Sequence, residues 1–290
     1  VAHDYRADKV PVMGGLGLNG TAFLVLMALA LFATGIVAGI LAGLLGVGGG
    51  IVMVPVLYYV FGALDVDQAV RMHMAVGTSL AAMIPTSIRS ALAHRKRGAV
   101  DGELFRSWLP AIILGALIGS AVAPYAPSQI LRAVFAFFAL FVALNMIVGN
   151  DRWKLGSDLP RVLWQRTAAF LIGGISVMMG IGGGTFTVPY LSLFGYPIRQ
   201  AVATASAIGV LIAIPGAIGF GFGGLGVAGR PVWSLGYASL IGFALIVPAT
   251  IIATPWGVSL AHRINPTWLR RAFAIFLALT GIRMAMSLLI

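Results

Sequence analysis

No cysteine occurs anywhere in the 290 residues, which excludes disulfides, thiolate metal centres and thiol catalysis. Charge is nearly as scarce: 9% of residues are Asp, Glu, Lys or Arg, against about 25% in an ordinary soluble domain. Acid runs out first. No carboxylate follows Asp158, and Asp65, Asp67, Asp101, Glu103, Asp151 and Asp158 all fall at the ends of apolar segments or between them. A proton relay of carboxylates across a membrane therefore has no parts. No Gly-x4-Gly-Lys-Ser/Thr string is present, which removes nucleotide hydrolysis through a P-loop. No Glu-x-x-His or comparable ligand spacing exists, so no metal or other cofactor is expected. Serine-hydrolase pairs and the acids of an intramembrane protease are missing too. The chain does not read as an enzyme.

What is present is apolar. Sixty per cent of residues are hydrophobic (60%), and runs such as Thr21–Leu45 and Ser234–Trp256 exceed the roughly 20 residues that span hydrocarbon. An all-α polytopic membrane protein is the fold class. The net charge of +11 sits in short loops, as cytoplasmic loops of membrane proteins collect Lys and Arg. That placement argues against nucleic acid as a partner and for the lipid bilayer. A surplus of positive charge also favours small anionic substrates. A homo-oligomer is left open.

Ten apolar segments fall near 21–45, 51–63, 69–93, 107–123, 128–149, 167–181, 185–195, 200–222, 232–256 and 266–289. They divide the chain into an N-terminal arm (1–20, mobile or lying on the surface), a first transmembrane repeat (21–149), a basic cytoplasmic linker (150–166) and a second repeat (167–290). Three ordered anchors carry the duplication. Gly46-Val-Gly-Gly-Gly-Ile-Val-Met-Val-Pro55 returns as Gly180-Ile-Gly-Gly-Gly-Thr-Phe-Thr-Val-Pro189; Gln68-Ala-Val70 matches Gln200-Ala-Val202; Pro127–Ala133 matches Pro266–Ala272. With eight crossings the halves are parallel, with ten they are inverted, and the excess of Lys and Arg on the inside is the same under both, so charge does not decide between them. Inverted halves are favoured, because that symmetry makes alternating access structurally simple.

The glycine strings are the main candidate site: Gly46, Gly48, Gly49 and Gly50 in one half, Gly180, Gly182, Gly183 and Gly184 in the other. A helix interruption at membrane depth is tolerated only inside protein or beside an aqueous cavity. Freed amides at the start of the next helix suit an anion. The plainer reading is close helix packing through small residues. Thr78, Ser79, Thr204 and Ser206 are candidate hydrogen-bond donors to a substrate oxygen, unless each bonds its own helix's carbonyl. Arg89 lies in an apolar segment, facing a cavity or snorkelling towards the basic loop. Arg132 and Arg271 are repeat mates and read as interfacial anchors. Arg283 is unmatched. His73 reads as structural, and His94 and His262 as loop residues.

Gly46-Val-Gly-Gly-Gly with Val54-Pro55, the Ala75-Val-Gly-Thr-Ser79 string, the basic His94-Arg-Lys-Arg-Gly98 loop with Val100-Asp101, and the second-half Gly-Ile-Gly-Gly-Gly resemble the TauE/SafE family of bacterial sulfite and organosulfonate permeases. The resemblance covers the chain from about residue 30 onwards. It implies a multi-pass inner-membrane permease for sulfite, sulfoacetate or related sulfonates, holding its anion between the two glycine strings. Ala201-Val-Ala-Thr-Ala-Ser206 departs from the first-half pattern, so the two halves need not contribute alike. Passive anion channel and membrane scaffold are the competing functions.

Overall fold

A computed structural model describes residues 20–46, 48–96, 98–148, 156, 158–260 and 266–288; the side chains of 147–148 and 266–273 lie outside that description. The first half holds α1 (Gly20–Leu45), α2 (Gly50–Ala63), α3 (Gln68–Arg95), α4 (Gly102–Val122) and α5 (Ser128–Val148). The second holds α6 (Val162–Met179), α7 (Gly184–Leu193), α8 (Ile198–Gly223), α9 (Leu240–Leu260) and α10 (Pro266–Met286), with strands β1 (Ser234–Leu235) and β2 (Ala238–Ser239) before α9. Six of these helices, α1, α4, α5, α6, α8 and α9, are long and apolar enough to cross a membrane. Their outer faces expose Leu24, Leu29, Leu117, Phe137, Phe141, Leu144 and Ile252, a belt of apolar surface that only lipid can cover without cost. The chain is a multi-pass membrane protein.

Three boundaries differ from the sequence reading, each for a local reason. Helix α4 begins five residues early because Asp101 caps it, accepting from the amides of Glu103 (2.9 Å) and Leu104 (3.0 Å); the helix runs on past its apolar part into the polar layer. Helix α6 likewise starts at Val162, inside the segment read as linker. Helix α9 starts late, because residues 234–239 form a hairpin pairing Ser234 with Ser239 and Leu235 with Ala238. Gly236 (φ 56°) supplies the left-handed residue that such a two-residue turn needs. His94 is no loop residue: it is buried in the last turn of α3, its Nε2 3.2 Å from the Gly43 carbonyl. The arm expected over 1–20 (Gly20 aside), His262 and most of the basic linker fall outside the described residues.

The direction of the helices settles the symmetry. Along α3 and α8 the contacts run in opposite order: Ser90 Oγ meets Ser206 Oγ at 3.1 Å, Ser87 lies against Gly209, Leu80 against Gly216, and Gly77 against Phe220. Mates α5 and α10 are antiparallel too, with Arg132 at Ser287 and Leu140 at Gly281. By contrast α1 runs parallel to α9 (Gly35 at Ala249, Gly39 at Ala253, Gly43 at Gly257), and α4 runs parallel to α6 (Gly115 at Phe170, Gly119 at Gly174). Exchanging the halves turns the first of these parallel contacts into the second. A two-fold axis that sets mates antiparallel lies across the helices, so the halves are inverted repeats, as favoured.

These glycine-lined contacts also show why the helices pack so closely. With no hydrophobic drive between helices in lipid, small residues let backbones approach. A Cβ on Gly39 would lie 2.6 Å from the Thr250 carbonyl oxygen, and one on Gly35 2.6 Å from that of Ile246.

Candidate functional site

Each glycine string reverses the chain inside the protein. Helix α1 ends beside the end of α3, where Ser90 Oγ donates to the Ala42 carbonyl (3.2 Å). The chain turns through Gly46–Gly49 and returns as α2, whose far end reaches Gly62 beside Arg71, in the first turn of α3. Gly46, Gly48 and Gly49 have φ of 67°, 72° and 77°, a left-handed conformation costing other residues roughly 1–2 kcal/mol each. In the second string Gly180 has φ 68° and closes α6. Gly48 packs at Ser87, eight residues from the end of α3, and Gly180 packs at Val76, eight residues from its start. At 1.5 Å rise per residue both turns lie about 12 Å inside the ends of that helix.

The two strings meet. A Cβ on Gly48 would sit 3.6 Å from the Gly182 Cα, and one on Gly50 2.5 Å from the Gly180 carbonyl oxygen. They also dock reciprocally on the opposite half: Gly46 abuts Val202 and Gly180 abuts Val76. Thr78 Oγ1 accepts the Ser239 amide at 2.9 Å, at the start of α9, while Thr204 Oγ1 accepts the Asp101 amide at 3.0 Å, at the start of α4. Val76 and Thr78 are thus the mates of Val202 and Thr204. This corrects the sequence alignment, which paired Val202 with Val70.

The hydroxyls singled out from sequence are largely committed. Ser79 Oγ donates to the Gly180 carbonyl at 2.8 Å, tying α3 to the second string. Ser206 Oγ donates to its own helix at Val202 (3.0 Å) and shares the single Ser90 proton with the Ala42 carbonyl. Arg89 is exposed on α3 and makes no hydrogen bond or ion pair among the described residues. Arg132, read as an interfacial anchor, is instead 2% exposed, and the Arg271 side chain lies outside the description. His73 is structural, its Nε2 2.8 Å from the Ala126 carbonyl and its ring stacked 4.8 Å from Tyr237.

What the sequence reading missed lies around the second string. Ser87, Ser176, Thr185 and Thr187 are all buried, and none of their hydroxyls has a hydrogen-bond partner. Ser176 is in the last turn of α6, Thr185 and Thr187 in the first turn of α7, and Ser87 beside Gly48 and Gly209. The buried amides of Gly182, Gly183 and Gly184 make no hydrogen bond among the described residues either. Buried polar groups are paired in most proteins, so this cluster is out of the ordinary. A signal existed: Thr185-Phe-Thr187 replaces the Ile51-Val-Met53 of the first half. Chemically, the arrangement offers neutral donors and the positive end of a helix, with no charged residue among them. It suits an anion that must be bound and then released. A groove of about 550 Å³ between α4 and α8, walled by Leu117, Leu211, Ile218 and Phe222, is too apolar for that task.

At the end of the bundle where α4 begins, the Tyr196 hydroxyl donates to the Asp101 carboxylate, joining the α7–α8 loop to α4. Burial pushes the Asp101 carboxyl upward, but the bonds from Tyr196 and the amides of Leu104 and Glu103 outweigh it and hold the group below its ordinary range. Burial, and then Asp101 itself, push the Tyr196 phenol well above its ordinary range.

Inverted halves, paired intramembrane reversals and a buried cluster of unclaimed donors are the parts of a membrane transporter. Comparison with known proteins agrees. The family described as Sulfite exporter TauE/SafE matches residues 31–284, and the chain belongs to that family. A "Probable membrane transporter protein" of Haemophilus influenzae is 33% identical over 250 residues, 86% of this chain and 95% of its own length. One from Methanocaldococcus jannaschii is 28% identical over 276 residues, covering 90% and 96%. One from Bacillus subtilis is 29% identical over 210 residues, covering 65% and 76%. No solved structure matches the chain.

Proposed function

We propose that the protein carries a small sulfur oxoanion, such as sulfite, sulfoacetate or another organosulfonate, across the bacterial inner membrane by alternating access about its two glycine turns. One observation carries this reading: the amides of Gly182–Gly184 and the hydroxyls of Ser176, Thr185 and Thr187, on and beside the second string, are buried and unbonded, as is that of Ser87 beside Gly48, where the two strings meet. Membership of a family described as sulfite exporters supports sulfite as the substrate class. Arg95, Lys96, Arg106, Arg161, Arg166 and Arg199 all lie at the end where α3 finishes and α4, α6 and α8 begin, and the positive-inside tendency makes that end cytoplasmic.

The two reciprocal latches, Thr78 to Ser239 and Thr204 to Asp101, are the elements that exchange. Opening towards one side releases one latch while its mate holds. Flux needs no proton relay, since the membrane potential alone contributes about 2.3 kcal/mol per charge per 100 mV to anion exit.

The test is a panel of sulfite, sulfoacetate, taurine, isethionate, thiosulfate and sulfate against purified protein, followed by flux in proteoliposomes. A ligand at a hundred times its Kd raises apparent stability by about 2.7 kcal/mol. One or more sulfur anions should do so and saturate in flux with exchange acceleration. Unitary conductance without exchange acceleration makes the protein a channel. No stabilisation and no flux across the panel ends the transport reading.

A further inference from the structure

At the outer end of the bundle Arg71, Arg132 and Arg283 gather round one pair of tyrosines, and the carboxylates at that end, Asp65 and Asp67 beside the start of α3, pair with none of them. Arg132, one turn into α5, is 2% exposed. Its Nη1 donates to the Ser287 carbonyl (2.8 Å) and reaches Ser287 Oγ and the Tyr58 hydroxyl (both 3.4 Å), while its Nε is buried with no partner. The Arg283 guanidinium lies 4.6 Å from the centre of the Tyr59 ring, and that of Arg71 5.7 Å from the Tyr58 ring. Tyr58 and Tyr59 are themselves edge to face, 5.5 Å apart. The Tyr59 hydroxyl is also buried and unbonded. None of the three arginines has a carboxylate within ion-pair distance among the described residues.

A buried charge is normally paired. An arginine in a membrane helix costs roughly 2.5–3.5 kcal/mol even on lenient insertion scales. Here a buried cation without a counter-ion and two more cations on the same tyrosine pair, of which Arg71 also donates to the Val66 carbonyl, stand with two unclaimed donors about the outer end of α2. Guanidinium forks match the oxygens of tetrahedral oxoanions, and stack on aromatic faces as Arg71 and Arg283 do.

We propose that Arg132, Arg283, Arg71 and the Tyr59 hydroxyl form a second anion site at the outer end, for a phosphate- or sulfonate-type oxoanion. It is separate from the glycine turns and stands whether or not they bind substrate. The oxoanion is either a free one waiting at the outer mouth or the phosphate of an anionic lipid.

The test uses full-length protein carrying Thr185→Val and Thr187→Val, so that the central cluster is disabled and the outer site is read alone. Sulfate is titrated in lipid-depleted detergent while thermal stability is followed, and phosphatidylglycerol retention from nanodiscs is counted by native mass spectrometry. Adding Arg283→Gln, at an exposed position, should weaken the sulfate response at least tenfold or lower the number of retained lipids. Adding Arg132→Gln should abolish the response while leaving the anion-free protein as stable as before or more so. Sulfate that displaces the lipid marks a site open to free anions; lipid lost in Arg283→Gln and indifferent to sulfate marks a headgroup site. Should Arg132→Gln fail to fold, Arg283→Gln decides. Unchanged sulfate response and unchanged lipid count in Arg283→Gln overturn the proposal.

Discussion

Thr187→Val separates binding from packing by the sign of two changes. The side chain is fully buried and its hydroxyl unbonded, so valine keeps the shape and removes only an unsatisfied polar group. Such a group costs about 1–3 kcal/mol, so the ligand-free variant should gain about 1 kcal/mol or more. In a chain of this size that is about 2–4 °C in apparent Tm. The anion-bound protein should move the other way. A hydrogen bond to a charged group contributes about 1.5–3 kcal/mol, which at 1.4 kcal/mol per decade is about ten- to a hundred-fold in Kd. The assay is thermal unfolding in detergent across a sulfite titration, with proteoliposome flux alongside. Ser87→Ala should repeat the pattern. A Thr187→Val protein that loses stability without ligand, or binds and moves anion like the parent, refutes the assignment.

Gly49→Ala should fail to accumulate: φ is 77° and the new Cβ would lie 2.7 Å from the Ala38 carbonyl oxygen, a backbone contact with no room to give. Gly183→Ala, at φ −55° and opposed by the Ile208 side chain, should fold better and weaken anion stabilisation, as ligand titrations of both will tell. Gly39→Leu should cost several kcal/mol by parting α1 from α9, seen as loss of a monodisperse peak in size-exclusion chromatography. Because its bonds hold the Asp101 carboxyl below its unfolded value, the stability it contributes is present above the ordinary carboxylate range and lost as pH falls through the lowered one. Tyr196→Phe removes the largest of those bonds and should move the acid-unfolding midpoint to higher pH; an unmoved midpoint discounts the contact.

Helix existence was legible because a bilayer demands unbroken apolar runs, and all ten runs are helices. Ends were less so: Asp101 and Arg161 continue helices into polar layers where hydropathy carries no signal. The hairpin at Ser234–Ser239 hides in an apolar run, betrayed only by Gly236 and Tyr237. The glycine strings pointed to the place where the halves meet, since only glycine turns a chain at such positive φ in so tight a space. Which hydroxyls stay unclaimed was not legible, because that depends on contacts across the two-fold. Ser79 looks available until the Gly180 carbonyl of the other half accepts its hydrogen bond. Thr187 looks like any helix-interior threonine until nothing does.

Among the described residues the hairpin has no counterpart in the first half. Tyr237 at its tip is buried, stacked on His73 and near Phe220; in the proposed alternating-access cycle the outer end is therefore closed by aromatic rings and the inner end by the Asp101–Tyr196 and Asp101–Thr204 bonds. In that cycle, two closures built from different groups give the empty carrier a preferred posture. That posture leaves the sign of net flow to the gradients. What it decides is which compartment's solute the empty protein meets first.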